Sequence, residues 1–539
     1  MSLIQIADLG GATINAVDAG AFITPYVMKP ATETKRIFEN VPNFMFRKDD
    51  VMLCTYPKTG TNWLFEIIMM ILNKSAEPIE TNKGMTMLEF QAPEDIDQQP
   101  SPRVVNCHFP CRILPFKDMT AKQIKTVLCC RNPKDTAVSY YNHMKGLRPY
   151  DYNGKWDDWL PVYLQGKLEY GKYTDYLLEW EKAMEEGVGF PLHVMYYEDL
   201  KINGTGEMDK LRKFLDVELD DVLKEDIVKM CGFARMATKT VPGSFTKEGF
   251  NFFRKGQIGD WKNWFTVAQD EMFDEIWKSE MKDSKMSKFI YTFRGHYCRL
   301  KPHFVREKAI QLAYRRMTSV KIKDLSGATI DEIDVGGFLI PDFKKPPAEA
   351  KQLFDSIPHF EFRDDDLIYL PLNDMKVKQI KTVLCCRNQK DTAVSYYNHM
   401  KGIEVYGYDG KWSDWLPVYL QGKCFTLCFE NQNGLEEIDR LLKFLDVDLS
   451  EELKKDIIHM CGFENMANKT MPSDMEKVFF KQDFKFFRKG RVGDWKNWFT
   501  VAQNENFDEI WENEMNGSTF SQFKYSDPRD GNDVSQPSF

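Results

Sequence analysis

The chain has 539 residues, 43% of them apolar and 28% charged, with a formal charge of −9. That composition belongs to a globular protein of roughly two to four domains. The acidic balance makes neither a nucleic acid nor an anionic membrane a natural partner of the whole surface, and it disfavours a large polyanionic acceptor. The opening residues, Met1-Ser2-Leu3-Ile4-Gln5, lack the basic and apolar regions of a secretory signal. The longest apolar run, Ile67 to Leu72, is far short of a membrane span of about 20 residues. Several of the twelve cysteines (Cys129, Cys130, Cys385, Cys386) lie inside apolar runs, as reduced core thiols do, so a cytoplasmic location is expected. Cys424 and Cys428 stand four apart without a second pair at zinc spacing, and no carboxylate cluster suggests another metal.

In chain order, the first telling stretch is Val51 to Trp63. An apolar, strand-like run, Val51-Met52-Leu53-Cys54, feeds a tight turn, Tyr56-Pro57-Lys58-Thr59-Gly60-Thr61-Asn62. An apolar run of helical length, Trp63 to Leu72, follows. A strand, a turn and a helix start point unpaired N–H groups and the positive end of a helix dipole at one place, which suits an anion. Lys58 adds a cation there, and Thr59 and Thr61 add hydroxyls. The order of Lys and Gly is not that of a Walker A loop.

Further strand-length runs lie at Val104–Cys107, Thr126–Cys130 and Leu192–Tyr197, separated by helix-like segments. Such alternation predicts an α/β fold with a parallel sheet. The Thr126–Cys130 run ends in Arg131-Asn132-Pro133-Lys134-Asp135-Thr136-Ala137-Val138-Ser139, and Pro133 suits the first turn of a helix. Arg131 and Ser139 can then converge on one phosphate. A third basic cluster, Arg254-Lys255-Gly256, follows Phe253, and Gly256 allows close backbone approach to a ligand. Three anion sites in one module fit a nucleotide phosphorylated at both ends.

The module is written twice. Asp8-Leu9-Gly10-Gly11-Ala12-Thr13 recurs as Asp324 to Thr329, Lys125 to Asn132 as Lys381 to Asn388, and Phe252 to Gly256 as Phe486 to Gly490. The offset falls from 316 to 256 and then to 234, so the second copy lacks 60 residues after Leu370 and 22 more after Gly422. The first gap removes the counterparts of the Lys58 loop, its helix and His108. The expected organisation is an intact domain over 1–293, a basic linker over 294–319, a degenerate copy over 320–525 and a disordered tail over 526–539.

With these three motifs in this order, residues 3–291 resemble a cytosolic sulfotransferase that uses 3′-phosphoadenosine 5′-phosphosulfate (PAPS), and the second copy matches in fragments. The resemblance implies a P-loop nucleotide-kinase-like, three-layer fold and transfer of a sulfuryl group to the hydroxyl or amine of a small apolar acceptor such as a phenol, alcohol or steroid. It implies that Lys58, Thr59, Gly60, Thr61, Asn62 and Trp63 hold the 5′ end, and that Arg131, Ser139, Arg254, Lys255 and Gly256 hold the 3′-phosphate. It places Trp63, Tyr197, Phe233 and Met236 around the adenine. It makes His108 the catalytic base, with Lys58 stabilising the charge of the transferring group, and it requires no metal. The family commonly carries a Lys two residues before this His, where this chain has Asn106. The segments Lys262 to Glu271 and Lys496 to Glu505 resemble the family's short dimerisation motif, which predicts a homodimer or an internal pseudo-dimer. Two other readings are open: a nucleotide kinase, opposed by the absence of Walker motifs, and a non-catalytic scaffold, which fits the second copy alone.

Overall fold

The structure is a computed structural model. It describes residues 2–289 except 21, 27–28, 80 and 237–244. In the second copy it describes chiefly 317–335, 339–341, 388–403, 406–420, 446–461 and 493–514. The chain divides into two compact units, the first reaching Phe265 and resuming at Gln269, the second holding most of the remainder.

At the centre of the first unit lies a four-stranded parallel sheet. Its strands are β4 (Val51–Thr55), β5 (Val104–Cys107), β6 (Lys125–Cys130) and β7 (Leu192–Tyr196), in the order β5-β4-β6-β7. Every residue of β4 and β5 is buried. A sheet covered on both faces needs unbroken apolar runs rather than alternation, which is why these segments read as solid hydrophobic stretches. The expected strands thus form, except that Tyr197 opens a helix, Tyr197–Ile202, instead of closing β7.

The Thr61–Asn73 helix covers one face of the sheet and buries Leu64, Phe65, Ile67, Ile68, Met69, Met70 and Ile71. Each such side chain contributes roughly 1.5–3 kcal/mol of burial. Val51, Leu53, Val127, Met195 and Leu211 meet them in one core cluster. A buried ion pair closes the floor of the sheet: Arg103 donates from Nε to Asp50 at 2.8 Å and from Nη2 at 2.6 Å. The Pro133–Gly146 helix begins at Asn132, whose Oδ1 accepts from the amides of Lys134 and Asp135. Proline at its first position behaves as anticipated.

A separate antiparallel sheet of β1 (Ser2–Ala7), β2 (Thr13–Asp18) and β3 (Ile23–Pro25) precedes this core. Its first turn is organised by Asp8, which accepts from Gly10 N, Ala12 N and, at 2.7 Å, the Tyr152 hydroxyl.

The second unit repeats these devices. Strands β8 (Met317–Lys323), β9 (Thr329–Val335) and β10 (Leu339–Pro341) form the matching antiparallel sheet. Asp324 organises its turn and accepts from Tyr408 Oη at 2.8 Å. The Gln389–Gly402 helix is capped by Asn388 and packs in a core of Tyr397, Tyr408, Trp415, Leu416 and Phe499. Arg387, Arg488, Gly490, the linker after residue 289 and the tail lie outside the described residues.

Candidate active site

All four parallel strands end on the same side, and each delivers part of one site. The loop Tyr56–Gly60 follows β4, His108 follows β5, Arg131 follows β6 and Tyr197 follows β7. In open α/β sheets this carboxyl edge is where ligands bind.

The β4 loop turns tightly, with Lys58 at φ 71° and Gly60 at φ 129°. The latter value demands glycine, and a Cβ there would approach Tyr197 Cδ2 to 3.2 Å. The Thr59 hydroxyl donates to Tyr56 O at 2.8 Å, so its proton is committed to the loop rather than to a ligand. The amides of Gly60, Thr61 and Asn62 donate to no acceptor among the described residues. They open the Thr61–Asn73 helix, and N–H groups so placed make a cradle that suits an anion.

Lys58 is half-buried above this cradle. Its Nζ lies 3.3 Å from His143 Nδ1 and 4.7 Å from the Phe252 ring centre. Burial, and then the nearby charges of Lys83, Arg131 and Arg254, push its pKa down to about 7. A lysine held so near neutrality is costly without an anion and gains its proton readily with one.

His108 is 8% exposed, and its Nδ1 lies 2.9 Å from both the backbone carbonyl and the hydroxyl of Thr55. The carbonyl can only accept, so Nδ1 carries the proton and Nε2 keeps its lone pair. Burial, then Lys83, hold its pKa well below the usual histidine value, with a smaller push from Lys58. The ring is therefore neutral at pH 7, with the Nε2 lone pair free. Thr55 Oγ1 is also 2.7 Å from Thr61 Oγ1, which joins the cradle to the histidine. Tyr170 contacts His108 edge-on, with ring centres 5.5 Å apart.

Arg131 extends across the site. Its Nη1 donates to Lys58 O at 3.0 Å, and its guanidinium lies 4.3 Å over the Tyr197 ring. Its Nε is buried without a partner among the described residues. Trp63 meets Tyr197 edge-on at 5.2 Å. Met236 is 3% exposed, and Ser139 is half-buried on the Pro133–Gly146 helix. Phe233 lies in the short Phe233–Met236 helix, its side chain outside the described residues.

The third cluster is held onto that same Pro133–Gly146 helix. Asp135 accepts from Gly259 N at 2.7 Å and Trp261 N at 3.1 Å. Asp260 pairs with Arg254 at 2.5 Å and Lys255 at 2.7 Å. Gly256 takes φ 60°. Asp135, Asp260, His143 and Lys83 escaped the reading of the sequence. An Asp in a first helical turn reads as a capping residue, and a lone Lys or His has no local signature.

Among the described residues no group of three His, Cys, Asp or Glu side chains could hold a metal ion. No helix among them is long and apolar enough to cross a membrane.

The chain matches the sulfotransferase domain over residues 48–285, 344–433 and 413–519, so the match recurs in the second copy. Sulfotransferase 1B1 of Canis lupus familiaris is 36% identical over 270 residues, 46% of this chain and 89% of the relative. Sulfotransferase 1E1 of Homo sapiens is 32% identical over 270 residues, 47% of this chain and 90% of the relative. Among solved structures, mouse sulfotransferase SULT7A1 complexed with PAP aligns at 25% identity and a TM-score of 0.43, over 51% of this chain and 98% of its own. Retinol dehydratase in a complex with retinol and PAP aligns at 19% identity and 0.42, over 52% and 93%.

Proposed function

Because the chain belongs to the sulfotransferase domain family, matched over more than half its length, we propose that its first copy moves a sulfuryl group from PAPS to a hydroxyl of a small acceptor. The single observation that carries this reading is the join between cradle and base: Thr55 touches both Thr61 of the anion loop and His108 Nδ1.

The residues fit a nucleotide phosphorylated at both ends. Among the described residues buried Arg131 Nε lacks a partner, the amides of Gly60, Thr61 and Asn62 are unspent, and Lys58 sits half-buried above them. PAPS supplies the sulfuryl group. Lys58, Gly60, Thr61, Asn62 and Trp63 hold its 5′ end, while Thr59, its hydroxyl and amide both donating to Tyr56 O, shapes the turn. Arg131, Ser139, Arg254, Lys255 and Gly256 hold the 3′-phosphate. Trp63, Tyr197, Phe233 and Met236 enclose the base. His108 Nε2 takes the acceptor's hydroxyl proton as a new O–S bond forms and the bond from sulfur to the 5′-phosphate oxygen breaks, leaving 3′-phosphoadenosine 5′-phosphate (PAP). Lys58 and the loop amides stabilise the charge that builds on the departing phosphate. None of these steps calls on a metal ion.

The second copy, in this reading, is non-catalytic, since its sequence lacks the loop and the histidine. The segments Lys262–Glu271 and Lys496–Glu505 serve association, either between chains or between copies. The buried free thiols of Cys54, Cys107, Cys129 and Cys130 support a reducing, cytoplasmic setting.

The test is transfer of labelled sulfur from PAPS to a panel of phenols, alcohols and steroids. His108→Ala should lower turnover by at least about a hundredfold, the scale of general-base loss, while PAP binding measured by calorimetry persists. Full turnover in that variant would remove His108 from the reaction.

A further inference from the structure

We propose that Lys83 supplies a second cation to the sulfuryl site, and that Asn106 is the positioning residue that holds it there. The proposal rests on the donor-binding reading above and extends it to a turn that carries none of the three motifs.

The turn over Lys83–Thr86 and the residues after it are fastened along β5 in step. Asn106, fully buried, donates from Nδ2 to Lys83 O at 2.8 Å and to Thr86 Oγ1 at 3.2 Å. The Thr86 hydroxyl donates in turn to Val104 O at 2.7 Å. Leu88 N donates to Asn106 O at 3.0 Å, and Glu89 Oε1 accepts from His108 N. The segment that begins at Lys83 therefore ends on the backbone of the catalytic histidine.

The Lys83 ammonium is attracted by the buried Glu89 carboxyl on the same segment but is not hydrogen-bonded to it among the described residues. Its hydrogen-bond contact is the Met87 sulfur at 3.4 Å, a weak acceptor, and it makes no ion pair among the described residues. Glu89 is 5% exposed, and its Oε2 is buried without a hydrogen-bond partner among the described residues. Among the charged groups that act on Lys58, Lys83 acts most strongly, ahead of Arg131 and Arg254. On His108 it acts ahead of Lys58. Lys83, Lys58 and His108 therefore share one locality. Two ammonium groups gathered there repel each other, Glu89 offsets that repulsion only for Lys83, and an anion with room for both relieves it. The sulfuryl group in transfer, flanked by the loop and the base, is that anion.

The same arrangement accounts for Asn106. Asn106 carries no charge; its side chain reaches the carbonyl of the turn, and the charge arrives from Lys83. Cation and strand position have been separated, with a hydrogen bond keeping them in register.

The experiment uses the full chain and titrates PAP by calorimetry, then vanadate into the PAP-loaded protein as a mimic of the transferring group. Lys83→Met should leave the PAP dissociation constant within about twofold. It should weaken vanadate at least about tenfold and lower kcat by a similar factor, the scale of losing one charge-stabilising donor. Lys83→Met combined with Asn106→Lys should recover most of both losses, which a purely structural role would not allow. Asn106→Ala should lower kcat while PAP affinity and melting temperature hold; if it unfolds, Lys83→Met carries the test. Unchanged vanadate affinity and kcat in Lys83→Met would overturn the proposal and leave the donor reading standing. Failure of the unsubstituted chain to bind PAP would remove both.

Discussion

The backbone carbonyl and the hydroxyl of Thr55 both lie 2.9 Å from Nδ1 of His108. This relationship fixes which ring nitrogen carries the proton, because a carbonyl oxygen can only accept. The ring proposed as the base is thus oriented by main chain at the end of β4, which no side-chain substitution can remove.

Thr55→Val tests that division of labour. The carbonyl survives, so kcat should fall by less than about tenfold, far less than for removal of the base itself. Stability should fall by about 1–2 kcal/mol, because Thr61 Oγ1 loses its buried partner. A loss of turnover as large as that of His108→Ala would show that the hydroxyl, not the carbonyl, orients the ring. Turnover is compared with a denaturant melt of the same variant.

Lys58, as proposed, should make donor binding pH-dependent. Burial and then the charges of Lys83, Arg131 and Arg254 bring its pKa to about 7 in the free protein. A bound phosphate favours the charged form and raises that value. The proton needed for tight binding is already present below pH 7 and must be taken up above it. PAP affinity should therefore be highest below pH 7 and fall by up to about tenfold per unit above it. Calorimetry in buffers of different ionisation enthalpy should register proton uptake at pH 8. Lys58→Arg stays charged, so its affinity should lose most of that slope. An identical slope in both proteins would assign the linkage to another group.

The anion loop, the strands and the Pro133 helix start were legible in the sequence because their signals are local. An apolar run, a turn residue and a helix start within a few positions specify Val51 to Asn73 without reference to the rest of the chain. The ties between motifs were not legible. Asp135 joins Gly259 across 124 residues, and Asn106 joins Lys83 across 23. Neither pair has a spacing that propensity or periodicity marks. Thr59 misled for a related reason: a hydroxyl in an anion loop reads as a ligand donor, yet the tight turn brings Tyr56 O within its reach first.

Asp135 links the third basic cluster to the Pro133–Gly146 helix, and it is 2% exposed. Asp135→Ala removes the acceptor of two backbone N–H groups. Hydrogen bonds to a charged group contribute about 1.5–3 kcal/mol each, and the freed amides regain water in part, so a loss of about 2–4 kcal/mol is expected. PAP affinity should drop at least about tenfold as Arg254-Lys255-Gly256 is released. Adenosine 5′-phosphosulfate, which lacks the 3′-phosphate, should lose much less. Equal losses for the two nucleotides would place the effect in the fold at large rather than in the 3′ clamp.

Among the described residues the second copy repeats the contacts that Asp135 and Asp260 make in the first. Asp391 accepts from Gly493 N at 2.8 Å and Trp495 N at 3.0 Å, and Asp494 pairs with Lys489, as Asp135 and Asp260 do in the first copy. What it lacks is the loop that would carry the 5′ end, together with the helix behind it. A 3′ clamp alone contributes an ion pair or two at a partly exposed surface, worth about 1 kcal/mol or less each, against the roughly 8 kcal/mol of micromolar binding. Calorimetry of the full chain should therefore find one PAP bound per chain. Lys58→Met combined with His108→Ala in the first copy should abolish turnover, with none left to the second. Two equivalents of PAP, or residual transfer in that double variant that saturates with PAPS, would show that the second copy has rebuilt a 5′ site from other residues.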